Sequence, residues 1–118
     1  MGILKDNQMI FYTDSKYNDV FDTFIKKEDK NKIEIKQLYI LAATLGFKNS
    51  KRVQVSSKGK ETRTSYLSYK EEALLLNMVF ADSEINNNID EIVNLNNKMK
   101  IKNIIDEYAN GGLELIVE

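Results

Sequence analysis

The sequence predicts a mainly α protein: a compact bundle of four or five helices around one core, with a small β element from a basic hairpin, the paired chain ends, or both. Three observations carry this. Apolar residues recur at helical spacing in successive stretches between Tyr17 and Tyr108. Cap and stop residues bracket those stretches. Strand-like composition is confined to short runs near Arg52 and near the two ends. At 118 residues the chain is expected to form a single globular domain, residues 1–118, able to bury a core without disulfides.

Met9 to Tyr12 suit a short strand or an extended arm. Asp14 or Ser15 is a plausible N-cap. Tyr17, Val20, Phe21, Phe24 and Ile25 then mark one face of a helix over 15–27. A second helix is predicted over 33–45, with Leu38, Leu41, Ala42 and Leu45 as its stripe. Ala42 and Ala43 are small enough for close packing on a neighbour. Gly46 suits the left-handed residue that ends a helix. Arg52 to Val55 alternates polar and apolar side chains, Ser56 to Gly59 supplies turn chemistry, and Thr62 to Leu67 is rich in β-formers, so a hairpin of 52–55 with 62–67 is expected. Ser68-Tyr69-Lys70-Glu71 matches a capping box. The helix it opens, 69–81, is apolar almost all round and is expected at the centre of the core. Ile85, Ile89, Ile92 and Val93 give a further stripe, and Leu95 to Tyr108 another, with a break expected near Asn94–Asn97. Asn110-Gly111-Gly112 reads as a stop signal before a short terminal strand or docked tail, Leu113 to Val117. The two ends are natural candidates to pair with each other.

Composition removes several chemistries. The chain has no His and no Cys. Imidazole and thiolate metal ligands, Ser-His-Asp triads and Cys-His pairs are therefore excluded. No glycine-rich phosphate loop is present. No apolar run is long enough to span a membrane, and none resembles a signal peptide, so a cytoplasmic protein without membrane contact is expected. No cofactor or metal is expected. Glu34-Ile35-Lys36, with Asp22 and Asp29 upstream, matches the acid-and-lysine pattern of some metal-dependent nucleases. Here, however, the triplet opens a predicted helix, where an acid is favourable through the dipole alone. Asp106 and Glu107 read as surface charge near a helix end, with Lys102 in reach of Asp106 at i, i+4.

One segment is unusual. Leu45 to Arg63 carries Lys48, Lys51, Arg52, Lys58, Lys60 and Arg63 against the single acid Glu61, a net of +5. With the whole chain at −1, the remainder sums to −6. Lysine and arginine beside Asn49, Ser50, Ser56, Ser57 and Thr62 suit phosphate contact. A solvated β-loop is the plain alternative, because aromatic residues are sparse there. Tyr66 and Tyr69 flank the predicted cap, where partial burial is expected and stacking on a base is the alternative.

The strings LAATLGFKNSKRV (Leu41–Val53) and DEYANGGLELI (Asp106–Ile116) resemble the DNA phosphorothioation-associated protein 4 family. These are accessory proteins encoded beside sulfur-modification and restriction genes. The resemblance implies a setting, defence against foreign DNA, with partners among the modification or restriction proteins. It imports no activity. It raises the DNA-related reading of Lys48, Lys51 and Arg52, which lie inside the first string. The resulting expectation is a non-enzymatic accessory protein of a DNA-phosphorothioation-dependent system. It would contact DNA phosphates through Lys48, Lys51, Arg52, Lys58, Lys60 and Arg63, a partner protein, or both. A protein–protein adaptor without nucleic-acid contact is the alternative, and a nuclease using Glu34 and Lys36 is a third reading.

Overall fold

A computed structural model of the chain describes residues 9–25, 35–81 and 98–117. Strand β1 (Ile10–Asp14) leads through a 3-10 turn (Ser15–Tyr17) into helix α1 (Asn18–Ile25). Helix α2 (Ile35–Lys48) is followed by an irregular segment, strand β2 (Lys58–Arg63) and a second 3-10 turn (Thr64–Tyr66). Helices α3 (Tyr69–Ala81) and α4 (Lys98–Val117) complete the described elements. The fold is mainly α with a two-stranded antiparallel sheet, as expected. The stripe Ile85–Val93 and the break near Asn94–Asn97 lie outside the described residues.

The cap of α3 forms as its sequence predicts. Glu71 N–H donates to Ser68 Oγ at 3.1 Å, and Ser68 N–H donates to Glu71 Oε1 at 2.8 Å. That backbone hydrogen bond, with Lys36 at 3.1 Å, holds the Glu71 carboxyl below its ordinary value. Ser68→Ala is expected to cost about 1 kcal/mol of stability. A urea titration should show a lower midpoint at unchanged slope; an unmoved midpoint would mean that the cap frays in solution.

Several expectations are corrected. Gly46 does not end α2. The left-handed residue is Ser50, with φ 52°. Around it, Lys51 N–H donates to Gly46 O at 2.8 Å and Ser50 N–H to Phe47 O at 3.1 Å, the paired bonds of a Schellman cap. Gly111 and Gly112 do not end α4 either, and Leu113–Val117 is its last turn, not a strand. These glycines serve close approach. A Cβ on Gly46 would fall on the Tyr108 carbonyl, and one on Gly112 on the Ala42 carbonyl. With Ala42, Ala43 and Ala109 fully buried beside them, α2 and α4 cross with their backbones in contact.

That crossing separates two apolar clusters. Leu38 and Ala42 of α2 and Leu113 of α4 meet Tyr17 and Phe21 on one side. Tyr39 and Ala43 of α2 meet Ile101, Ile104, Ile105, Tyr108 and Ala109 of α4 on the other, with Phe11 and α3. The central helix is thus α4, not α3. Helix α3 buries only Glu72, Leu75, Met78 and Val79, and exposes Leu74.

The expected hairpin is also replaced. Residues 52–55 form no strand, and β2 pairs with β1: Ile10 opposite Arg63, Phe11 opposite Thr62, Tyr12 opposite Glu61, Asp14 opposite Lys58. The shift between Tyr12 and Asp14 puts one extra residue in β2, a bulge near Gly59. A Cβ on Gly59 would lie 2.8 Å from Ser15 Cα, so the bulge rests directly on the first 3-10 turn. Phe11 anchors the sheet by stacking on Tyr39, with ring centroids 4.9 Å apart.

Candidate functional site

The six cations of the basic segment divide into two groups. Lys51 pairs with Glu114 at 3.0 Å, and Lys60 with Asp22 at 3.0 Å. Arg52 sets Nε at 3.0 Å and a terminal nitrogen at 2.9 Å on Glu107 Oε1, and its guanidinium lies 5.8 Å from the Tyr108 ring centroid. Val53 N–H donates to Glu107 O at 2.9 Å. These contacts lay the segment along α4 and tie β2 to α1. Lys48, Lys58 and Arg63 are exposed and carry no ion pair among the described residues. Lys58 lies over the Tyr12 ring, 4.8 Å from its centroid.

Beneath the segment sits a buried polar network. Tyr39 Oη donates to Asp106 Oδ1 at 2.6 Å, Lys102 Nζ contacts Oδ2 at 2.6 Å, and Tyr12 N–H donates to Oδ1 at 3.1 Å. Asp106 is only 3% exposed, so the pair expected at i, i+4 forms, but in the interior and not on the surface. One turn on, Asn110 Oδ1 accepts from Asp14 N–H at 2.9 Å. Residues 12 and 14 present their amides to the same side of β1, and side chains at 106 and 110 lie one helical turn apart. Helix α4 therefore takes the place of a third strand along the second edge of β1. Burial pushes the Asp106 carboxyl up to about 6, against the opposing pull of Lys102 and its hydrogen bonds. Burial and the adjacent carboxylate raise the Tyr39 hydroxyl well above its ordinary value.

Where the network reaches the surface there is a cleft of about 290 Å³, lined by Tyr12, Gln54, Ser56, Lys58, Lys102 and Asn103 among others. Asp106 and Glu107 also border it. Lys102 Nζ lies 5.3 Å from the Tyr12 ring centroid, so two ammonium groups flank one ring. Of the candidate cations only Lys58 lines this cleft; Arg63 lies at a separate depression with Met9, Ile10 and Ser65.

A family model described as DNA sulphur modification system-associated protein 4 matches residues 15–118. The chain belongs to this family. No curated protein and no solved structure matches it. The two strings that carried the resemblance prove to be opposite sides of one interface. Gly46, Phe47, Lys51, Arg52 and Val53 from the first meet Glu107, Tyr108, Gly111 and Glu114 from the second. The basic segment is thus seated on α4 through these two strings. Tyr12, Gln54, Lys102 and Asn103 were not among the candidate residues. Only Lys102 left a signal, its i, i+4 spacing to Asp106.

Tyr66 and Tyr69 are exposed, at 64% and 66%, not partly buried as expected at a helix entry. Glu34 and Asp29 lie outside the described residues. Lys36 contacts Glu71 and donates to Tyr66 O at 3.4 Å. No helix among the described residues is long and apolar enough to cross a membrane.

Proposed function

We propose that the protein is a non-enzymatic accessory factor of a DNA sulphur modification system that contacts DNA phosphates through its basic segment. Lys48, Lys58 and Arg63 make the contact. Lys51, Arg52 and Lys60 hold the segment in place through Glu114, Glu107 and Asp22. The observation that supports this is the division of the cations: three are spent on anchoring acids while three stay exposed on a fixed backbone. The acidic remainder of the chain repels a polyanion, which confines contact to the basic segment. Lys36, engaged by Glu71, lends no support to a nuclease.

The test is fluorescence anisotropy against one duplex, with and without phosphorothioate linkages, at several salt concentrations. Three phosphate contacts predict log K falling against log salt with a slope of about −2.7. Lys48→Glu and Arg63→Glu should each weaken binding on every duplex alike. Absence of binding at low salt removes this reading. It would leave the adaptor reading, which exposed Tyr66 and Tyr69 favour, since tyrosine is enriched at protein interfaces. Co-purification with another protein of the system, lost in Tyr66→Ala, would then be expected.

A further inference from the structure

We propose that the cleft between β1, the irregular segment and α4 is a seat for a single phosphate group. The inference rests on the phosphate-contact reading above and gives it a specific place. At about 290 Å³ the cleft lies at the lower bound of small-molecule sites, so it suits one tetrahedral oxyanion with its immediate substituents. Its electrostatics favour an anion. Each bordering carboxylate already has its own cation: Asp106 holds Lys102 at 2.6 Å, and Glu107 holds Arg52 at 2.9 Å. Lys58 remains as the excess positive charge. Its ammonium is steadied over the Tyr12 ring, at the rim and not buried in an ion pair.

Neutral donors complete the seat. Gln54, Ser56 and Asn103 line the cleft, are exposed, and have no side-chain hydrogen bond among the described residues. Ser56 itself is pinned, because its N–H donates to Asp14 Oδ2 at 2.8 Å. That bond ties the cleft-lining residue to the end of β1. Asn103 projects from α4, the most deeply packed helix, so it too is fixed in place. A phosphate entering here would take a charge-assisted hydrogen bond from Lys58 and neutral hydrogen bonds from the three polar side chains. Lys102 is a positioning residue. It stays with Asp106 and adds field, not contact.

The phosphate could belong to a nucleic-acid backbone or to a small phosphorylated molecule, and the experiment separates them. The full chain, labelled with ¹⁵N, is titrated with inorganic phosphate against sodium chloride of equal ionic strength. Saturable shifts at the amides of Gln54, Ser56, Lys58 and Asn103 are expected. Lys58→Met should weaken this binding about tenfold or more, and Asn103→Ala by less. Both positions are exposed, so the fold survives. Shifts that never saturate, that spread over all lysines, or that are unchanged in Lys58→Met overturn the proposal. A duplex that moves the same amides and competes with phosphate identifies the backbone as the source. Cleft shifts with phosphate but no duplex binding keep the seat and remove the DNA reading. Duplex binding through Lys48 and Arg63 with a silent cleft does the reverse.

Discussion

Asp106→Ala is expected to destabilise the protein by about 3–5 kcal/mol at neutral pH, the cost of breaking a buried ion pair from one side. The substitution strands three donors at once. Lys102 loses its carboxylate, Tyr39 Oη its acceptor, and Tyr12 N–H its only partner on the edge of β1 that faces α4. Chemical denaturation reads the loss directly; a loss below about 1 kcal/mol would mean that water reaches these groups. The same residue gives the fold a pH signature. Its folded-state value of about 6 lies above the ordinary 3.8. The folded state therefore holds the proton more tightly, and this contribution is fully present below 3.8 and lost as pH rises through about 6. Asp14 and Glu71, both held below their ordinary values, act in the opposite sense and lose their contribution in more acid solution. Asp106→Asn should remove the downward slope between those two pH values and leave the acid limb in place.

The second large effect has a sign opposite to helix propensity. Alanine for glycine inside a helix ordinarily stabilises by about 0.5–1 kcal/mol. Gly112→Ala should instead destabilise by about 2–3 kcal/mol, because the added methyl would meet the Ala42 carbonyl and the backbone there cannot turn aside. Gly46→Ala should behave alike against the Tyr108 carbonyl. A gain in thermal midpoint for either variant would show that the α2–α4 crossing has room for a methyl group between its backbones.

Those glycines also show which parts of the fold the sequence could convey. The capping box at Ser68 and Glu71 was legible because its information is local: donor and acceptor lie three residues apart. So was helix α3 over 69–81. Asn110-Gly111-Gly112 was not, because glycine has two structural uses and the stop reading takes the commoner one. The deciding signal lay in the periodicity. Ile101, Ile104, Ile105, Tyr108, Ala109, Gly112, Leu113 and Ile116 follow the helical repeat without a break through both glycines. On α2, Ala42 and Gly46 at i, i+4 mark a smooth stripe in the same way.

Strand pairing was less accessible. Residues 62–67 read as the partner of 52–55 because turn chemistry at Ser56–Gly59 lies between them. The true partner of β2 is β1, across α1 and α2. Nothing local distinguishes the two pairings. The site followed suit: six cations were legible as a basic segment, but which were committed depended on Glu107, Glu114 and Asp22, distant in sequence and near only in the fold. The cleft joins Tyr12, Ser56 and Asn103 and could not be assembled from any one stretch.

The strand-to-helix edge has a consequence for how the chain reaches this state. The hydrogen bonds from Tyr12 N–H to Asp106 and from Asp14 N–H to Asn110 span 94 and 96 residues. The first strand among the described residues is therefore completed by the last helix among them. Until that helix exists, β1 has amides without partners and Phe11 has only part of its enclosure. Loops of this length close late and contribute little until they do. Completion of this edge is thereby deferred until α4 has been synthesised, and a nascent chain lacking α4 carries an unshielded strand that invites association with another chain.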